Sequence, residues 1–512
     1  MHAKLAAHRA KGSRAAKGQE PSPRRLVRSL SLRRLVLRVA FLSPEAIPYS
    51  KTGGLGDVAG ALPKALRRTG AVDVALFTPL YESTDRRLLD ALVFESLEIP
   101  WRATIHQARV WYSEAGGVPT FLLDAPTYFA RPGIYGYSDD HERFAFFCRA
   151  TLALLRLLGQ APDIVHGNDW TCGFAMVELA KLRARDPFFA RTRTLFSIHN
   201  LAYQGAFGVE NLSALDFSDA ESIGLFRQNG AASALKAGIM SADWLSTVSR
   251  RYALEIQTPE LGYGLDWLLR ARRERLVGIT NGIDYEVWNP ATDPMIAARY
   301  SADDPSGKVE CKADLLRRFG LPVDLSRPVV ATISRLVAQK GYDLIREAAW
   351  AMLEAGACFI ALGAGAREYE EFLQSLRDSA PDRVGVYIGY AGEALAHQIE
   401  AGADIFLMPS LYEPCGLNQM YSMRYGTVPV VRATGGLDDT VEQFDRVRRT
   451  GTGFKFGPYR AEAMLESLYE AFYCYGEPEV WRTVQLNGMR QNNSWEATAW
   501  RYSELYHTAQ RS

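Results

Sequence analysis

Residues 36–78 read VLRVAFLSPEAIPYSKTGGLGDVAGALPKALRRTGAVDVALFT, and their apolar pattern changes twice. Val36–Ser43 is an apolar run of strand length, interrupted only by Arg38. After a loop, Val58, Leu62, Ala65 and Leu66 recur at helical spacing. Gly70 stands where a helix ends on a left-handed residue, and Val72–Thr78 returns to strand character. The stretch is one β-α-β unit.

The unit recurs along the chain. Strand-like runs at Asp163–His166, Thr194–Ile198, Trp244–Val248 and Val277–Thr280 alternate with helical stretches such as Ala145–Leu158 and Phe174–Ala184. Such alternation predicts a parallel, doubly wound sheet. A second series follows residue 285, with strand candidates at Val329–Ile333, Phe359–Leu362, Val384–Ile388, Ile405–Met408 and Val428–Val431. Two series predict an α/β protein of two doubly wound, Rossmann-like domains facing across a cleft, where ligands bind beyond the carboxyl ends of the strands. With no Gly/Ser linker between them, the connection near Thr280–Pro290 reads as a tight hinge.

Composition excludes several classes. Of 512 residues 47% are hydrophobic and 23% charged, as in soluble globular chains, which removes disorder and collagen-like readings. Lys plus Arg number 59 against 58 Asp plus Glu, but residues 1–38 hold eleven basic residues and one acid, Glu20. The remainder is therefore acidic, which argues against nucleic acid as a partner. No apolar window is long enough for a membrane span. The six cysteines show no CxxC pair and no metal-ligand spacing, so free thiols in a reducing compartment are expected. The Arg-rich, acid-poor start fits a transit peptide by composition, but a solvated tail or a start codon placed too early is the favoured reading.

The loop Lys51-Thr52-Gly53-Gly54-Leu55-Gly56-Asp57-Val58 puts a cation and two adjacent glycines before a helix, an arrangement suited to a diphosphate, with a simple turn as the alternative. It is neither a Walker A loop nor a GxGxxG fingerprint. Arg335 and Lys340, between the first strand and first helix of the second series, form a candidate clamp for a departing diphosphate, surface salt bridges being the alternative. Glu413, with the amides of Cys415, Gly416 and Leu417 ahead of a helix, suits sugar hydroxyls, though an acidic cap would look the same. Thr434-Gly435-Gly436 is a second anion-binding candidate. His166-Gly167-Asn168-Asp169-Trp170 and Ser197-Ile198-His199-Asn200 each end a strand with polar groups expected in the same cleft. There is no His-Glu-x-x-His, no serine nucleophile elbow and no convincing metal set.

Lys51-Thr52-Gly53-Gly54-Leu55, Asn168-Asp169-Trp170, Ser197-Ile198-His199-Asn200-Leu201-Ala202-Tyr203-Gln204-Gly205, Asn281-Gly282-Ile283-Asp284 and Glu413-Pro414-Cys415-Gly416-Leu417 closely resemble the bacterial glycogen synthase and plant starch synthase family, in the expected order over residues 36–507. The resemblance implies a GT-B fold and transfer of glucose, with retention, from ADP-glucose to the 4-hydroxyl of glycogen or another α-1,4-glucan. It implies an acceptor-side domain at 36–280 joined by a C-terminal helix at 486–512, and a nucleotide-sugar domain at 281–485; the basic extension at 1–35, set apart by composition, is expected to be disordered. By motif, Glu413, His199, Lys340 and Arg335 are the catalytic set. Lys51, Gly53 and Gly54 lie at the donor, Asn200 flanks the sugar, and Asp57 and Asp169 hold the glucose-side loops and acceptor region. Cys415, Gly416, Leu417, Thr434 and Gly435 join the binding set, with Tyr390 against the base.

The family is metal-independent, so no metal and no cofactor is expected; Arg335 and Lys340 take the place of a divalent cation. UDP-glucose as donor and a non-catalytic glucan-binding scaffold are the alternatives. A phosphorylase would need a pyridoxal phosphate lysine, for which no motif is found. Bacterial cytoplasm is the expected location, or a plastid if residues 1–35 are a transit peptide, and a homo-oligomer is compatible with the chain.

Overall fold

The computed structural model describes residues 36–512 apart from 102 and 103; the extension 1–35, expected to be disordered, lies outside them. The first twelve strands are β1 (Leu37–Leu42), β2 (Val72–Pro79), β3 (Ala91–Trp101), β4 (Thr104–Ser113), β5 (Thr120–Asp124), β6 (Ile164–Asn168), β7 (Arg193–Ile198), β8 (Ala206–Phe207), β9 (Arg227–Gln228), β10 (Ala231–Ser233), β11 (Trp244–Thr247) and β12 (Leu276–Gly278). Nine form one sheet in the order β12-β11-β7-β6-β1-β2-β5-β4-β3, and β8, β10 and β9 make a small separate sheet. The large sheet is parallel except at the β5-β4-β3 edge. The second domain holds β13 (Val329–Ile333), β14 (Cys358–Gly363), β15 (Val384–Ile388), β16 (Ile405–Met408), β17 (Val428–Arg432) and β18 (Phe454–Phe456), all parallel, in the order β15-β14-β13-β16-β17-β18.

The central strands are apolar because helices cover both faces. In β1, Val39 pairs with Val74 on one side and Ile164 on the other, and both Val39 and Phe41 are buried. A strand with no wet face reads as a continuous apolar run. The antiparallel edge differs: β3 alternates buried and exposed positions over much of its length, and its hairpin is absent from the sequence-based expectation.

The chain crosses between domains twice, at one place. It leaves the first domain after β12 and returns as helix Trp495–Arg511, whose Trp495, Tyr502 and Tyr506 join the core under β1 and β2. At roughly 1.5–3 kcal/mol for each large buried apolar side chain, these three hold the helix by several kcal/mol. The crossings are zipped together: Ile283 bridges Ser494, Ile283 N donates to Asn493 O at 2.8 Å, and Thr498 Oγ1 donates to Thr280 O at 3.0 Å. The expected helix 486–512 is in fact two, Pro478–Arg490 and Trp495–Arg511. Asn492 breaks it by accepting from Ser494 N at 3.1 Å, which offers the backbone a turn in place of a helix.

His166 points away from the cleft, correcting the sequence-based expectation. Its Nδ1 lies 2.8 Å from Tyr506 OH and its Nε2 2.6 Å from Ser197 Oγ, tying the returning helix to β6 and β7. Burial pushes its pKa well below the ordinary range, so it is neutral. All six cysteines are buried and unbridged. No helix among the described residues is long and apolar enough to cross a membrane.

Gly282 is required by the crossing, since a Cβ there would lie 2.5 Å from Trp495 N and 2.6 Å from Trp495 Cα. Gly282→Ala is therefore expected to cost about 2 kcal/mol or more in denaturant unfolding. An unchanged midpoint would mean that the crossings are not tightly held.

Candidate active site

A cleft of about 1040 Å³ lies between the two sheets. The loops after β1, β6 and β7 line one wall and those after β13, β15 and β16 the other, all at strand carboxyl ends. Among the residues brought together are Lys51, Gly53, Gly54, Asp57, Asp169, His199, Asn200, Arg335, Lys340, Tyr390, Glu413, Cys415, Gly416 and Leu417. Thr434 and Gly435 are not among the lining residues.

The glycine loop is organised by a residue the sequence reading missed. Glu45 Oε2 accepts from Thr52 N at 2.6 Å and Gly53 N at 3.1 Å, while Tyr135 OH donates to Oε1 at 3.0 Å. The Gly53 amide, expected to face a diphosphate, is thus engaged by a buried carboxylate together with that of Thr52. Burial pushes the Glu45 pKa up, and the amides of Thr52 and Gly53 pull against that. The available signal was an acid in the loop just after β1. Helix Gly54–Arg68 then starts at the cleft, with Gly54 facing Leu417 of the other domain: a Cβ would be 3.9 Å from Leu417 Cδ1. Lys51 Nζ lies 2.7 Å from Asp57 Oδ1. Burial raises the Asp57 pKa, and Lys51 opposes it.

At the end of β6, Asp169 adopts a positive φ of 56°, which side-chain-bearing residues rarely take. Its Oδ1 accepts from His199 N at 2.7 Å, and the Asn200 amide also donates to its carboxylate. Burial, opposed by these two amides, raises its pKa to about 7. The Asn200 amide shares a peptide group with the His199 carbonyl, so Asp169 orients and polarises that carbonyl. The His199 ring is held by Asn168, Nε2 to Oδ1 2.9 Å, and burial lowers its pKa to about 4, leaving a neutral imidazole near pH 7. The Asn200 side chain accepts from Ala202 N at 3.1 Å, which shapes its own turn.

On the second domain Lys340 Nζ lies 2.5 Å from Glu413 Oε2, which also accepts from Ser410 Oγ at 3.1 Å. This pair is well covered, with side-chain exposures of 19% and 8%, against 48% and 25% for Lys51 and Asp57. Exposed pairs contribute about 0–1 kcal/mol, whereas breaking a buried pair costs about 3–5 kcal/mol, so Lys340 and Glu413 depend on each other more. Arg335 Nη2 makes a long 3.4 Å contact with Gln339 Oε1, and Gln339 Nε2 donates to Tyr412 O at 2.8 Å, bracing the Arg335 turn against the Glu413 loop. Burial pushes the Cys415 thiol up to about 12, so it sits as a neutral thiol. Tyr390 is 89% exposed beside the cleft. Thr434 Oγ1 and Gly435 N, expected to meet an anion, donate to Glu255 at 3.2 and 3.1 Å. Among the described residues no group of three or more His, Cys, Asp or Glu side chains is placed to hold a metal ion.

The chain matches the starch synthase catalytic domain family over residues 38–271 and the glycosyl transferases group 1 family over residues 316–482. A glycogen synthase of Koribacter versatilis is 44% identical over 484 residues, covering 93% of this chain and 99% of the relative. One of Anaeromyxobacter dehalogenans is 46% identical over 486 residues, covering 92% and 99%. The solved catalytic domain of starch synthase IV from Arabidopsis thaliana, bound to ADP and acarbose, matches with a TM-score of 0.85 at 33% identity, covering 93% of this chain and all 100% of that one. A sucrose-phosphate synthase from Thermosynechococcus elongatus shares the fold at a TM-score of 0.57 and 19% identity.

Asp169 makes stability depend on pH. Its folded-state pKa of about 7 exceeds the ordinary 3.8, so the native state holds the proton more tightly, and its contribution is lost as pH rises from about 4 to about 7. Asp169→Asn is expected to remove a slope of up to about 1.4 kcal/mol per pH unit in that window. Urea unfolding of both proteins at about pH 5 and about pH 8 measures it, and parallel behaviour would contradict the assignment.

Proposed function

Because the chain belongs to the family of bacterial glycogen synthases and plant starch synthases, GT-B glycosyltransferases that move glucose onto a glucan, we propose that its donor is ADP-glucose and its acceptor the non-reducing 4-hydroxyl of an α-1,4-glucan such as glycogen. The supporting observation is the facing of two cation-carboxylate pairs across one cleft: Lys340 with Glu413 and Lys51 with Asp57. Residues 281–485 take the nucleotide sugar. Residues 36–280, with the returning C-terminal helix, take the glucan.

A diphosphate arriving at the loop after β13 competes with Glu413 for Lys340 and gains a second cation in Arg335. These charges answer the negative charge that builds on the leaving phosphate, the work a divalent cation does in other transferases. Glu413, relieved of its partner, accepts hydroxyls of the donor glucose. Amides of Cys415, Gly416 and Leu417 bind the donor alongside, Lys51, Gly53 and Gly54 close over it, and Tyr390 covers the base.

As the bond from the anomeric carbon to the phosphate oxygen breaks, positive charge grows at that carbon, and the His199 carbonyl, polarised through Asp169, faces it. The acceptor oxygen bonds the carbon on the same face, and its proton passes to the departing phosphate oxygen, so configuration is retained. Asn200 and Asp57 keep the sugar-side loops in place, and Thr434 and Gly435 support the Glu413 loop from behind. A bacterial cytoplasmic location accompanies this reading.

Nucleotide release by purified protein with glycogen, comparing ADP-glucose and UDP-glucose with EDTA throughout, is expected to give glucan-dependent release of ADP, insensitive to EDTA and faster than release of UDP. Release of neither nucleotide from folded protein that still binds glycogen would favour a scaffold. Lys340→Ala is expected to lower kcat by more than about tenfold while far-UV circular dichroism stays native. Near-normal turnover would remove Lys340 from the clamp.

A further inference from the structure

Beside the chain crossings lies a second joint between the domains. Helix Arg250–Glu255 follows β11 in the first domain, and helix Gly435–Thr440 follows β17 in the second. Each supplies the other's cap. Asp439 Oδ2 accepts from the amides of Arg250 and Arg251 at the start of the first helix. Glu255 accepts from Thr434 Oγ1 at 3.2 Å and Gly435 N at 3.1 Å at the start of the second. Amides in a first helical turn lack partners within their own helix, and a carboxylate there gains both hydrogen bonds and the favourable end of the helix dipole.

The dipoles of their own helices do not favour the placement of these acids. Glu255 is the last residue of its helix and Asp439 the penultimate residue of its own. There, negative charge opposes the dipole of the helix that carries it. Arg251 Nε offsets part of this by donating to Glu255 Oε1 at 3.1 Å within the same helix, while the backbone amides that each acid caps lie across the domain boundary.

The joint holds the loop that carries Glu413. Gly436 N donates to Glu413 O at 3.0 Å. Gly435 has φ +47°, and a Cβ on it would lie 1.8 Å from Glu413 O, so the helix start is pressed against that carbonyl. From the other domain, Ser249 Oγ caps its own helix by accepting from Tyr252 N at 3.0 Å and donates to Pro414 O at 2.8 Å. Glu413 is therefore fixed from both domains at once.

We infer that Glu255 and Asp439 are positioning residues: their reciprocal capping sets where Glu413 and Lys340 stand relative to Lys51, Asp57 and His199. This rests on the reading of the cleft as the transfer site. The variants Glu255→Ala, Asp439→Ala, both together, and Asp439→Asn separate the outcomes. Asparagine can still accept from the Arg250 and Arg251 amides and ranks with aspartate as a cap.

Two readouts are needed: kcat and KM for glucan-dependent ADP release, and amide hydrogen exchange over residues 250–255 and 435–440. Each alanine variant is expected to lower kcat at least about tenfold with donor KM within about threefold, the double variant to be little worse than either, and Asp439→Asn to stay within about threefold of the parent. Exchange is expected to quicken in both segments in each alanine variant. Turnover within about twofold of the parent in both single variants, multiplicative losses in the double variant, or quickened exchange confined to one segment would overturn the inference. A parent protein that releases no ADP would defeat the transfer reading instead, and the exchange measurement would still decide whether the two caps act as one joint.

Discussion

Everything at the site depends on two parallel sheets meeting with their carboxyl ends across one cleft, and that geometry is held where the chain crosses between them. Ile283 pairs with Ser494, Gly282 lets the strands of the crossing touch, and helix Trp495–Arg511 anchors the return in the core of the first domain. Loops after β1, β6, β7, β13, β15 and β16 then have nowhere to go but toward one another. Lys51 and Lys340, nearly 300 positions apart, become opposite walls of one site.

Within the cleft, Lys51 and Lys340 are each paired with a carboxylate. Carboxylates outnumber Lys and Arg among the lining residues, and burial raises the pKa of Glu45, Asp57 and Asp169. Amides and ammonium groups stabilise their ionised forms. In the proposed reaction the side chains exchange partners when donor enters: the diphosphate takes the cations, and the carboxylates are released to sugar hydroxyls. The cost of desolvating these groups is met during folding, so less reorganisation remains when substrate binds.

How much of this was legible in the sequence follows from burial. Strands buried on both faces read as unbroken apolar runs, and β13, β15 and β16 have the expected bounds. The β3-β4 hairpin escaped because an edge with one wet face alternates and resembles loop. Motif residues at strand ends were found because a cation or carboxylate stands out after an apolar run. Glu45 was missed because its role lies in accepting two amides from a loop several residues on. Thr434 and Gly435 read as an anion site, and an anion is present, but it is Glu255, some 180 positions away in sequence. His166 and His199 occupy similar strand-end contexts; only the returning helix, with Tyr506, decides that the first is structural.

Titration calorimetry of ADP into the protein in EDTA tests the central claim that paired side-chain cations of one cleft bind the diphosphate. The expected result is one site per chain without added metal, weakened at least about tenfold in Lys340→Ala. Equal affinity in parent and variant, or binding that appears only when a divalent cation is added, would contradict it.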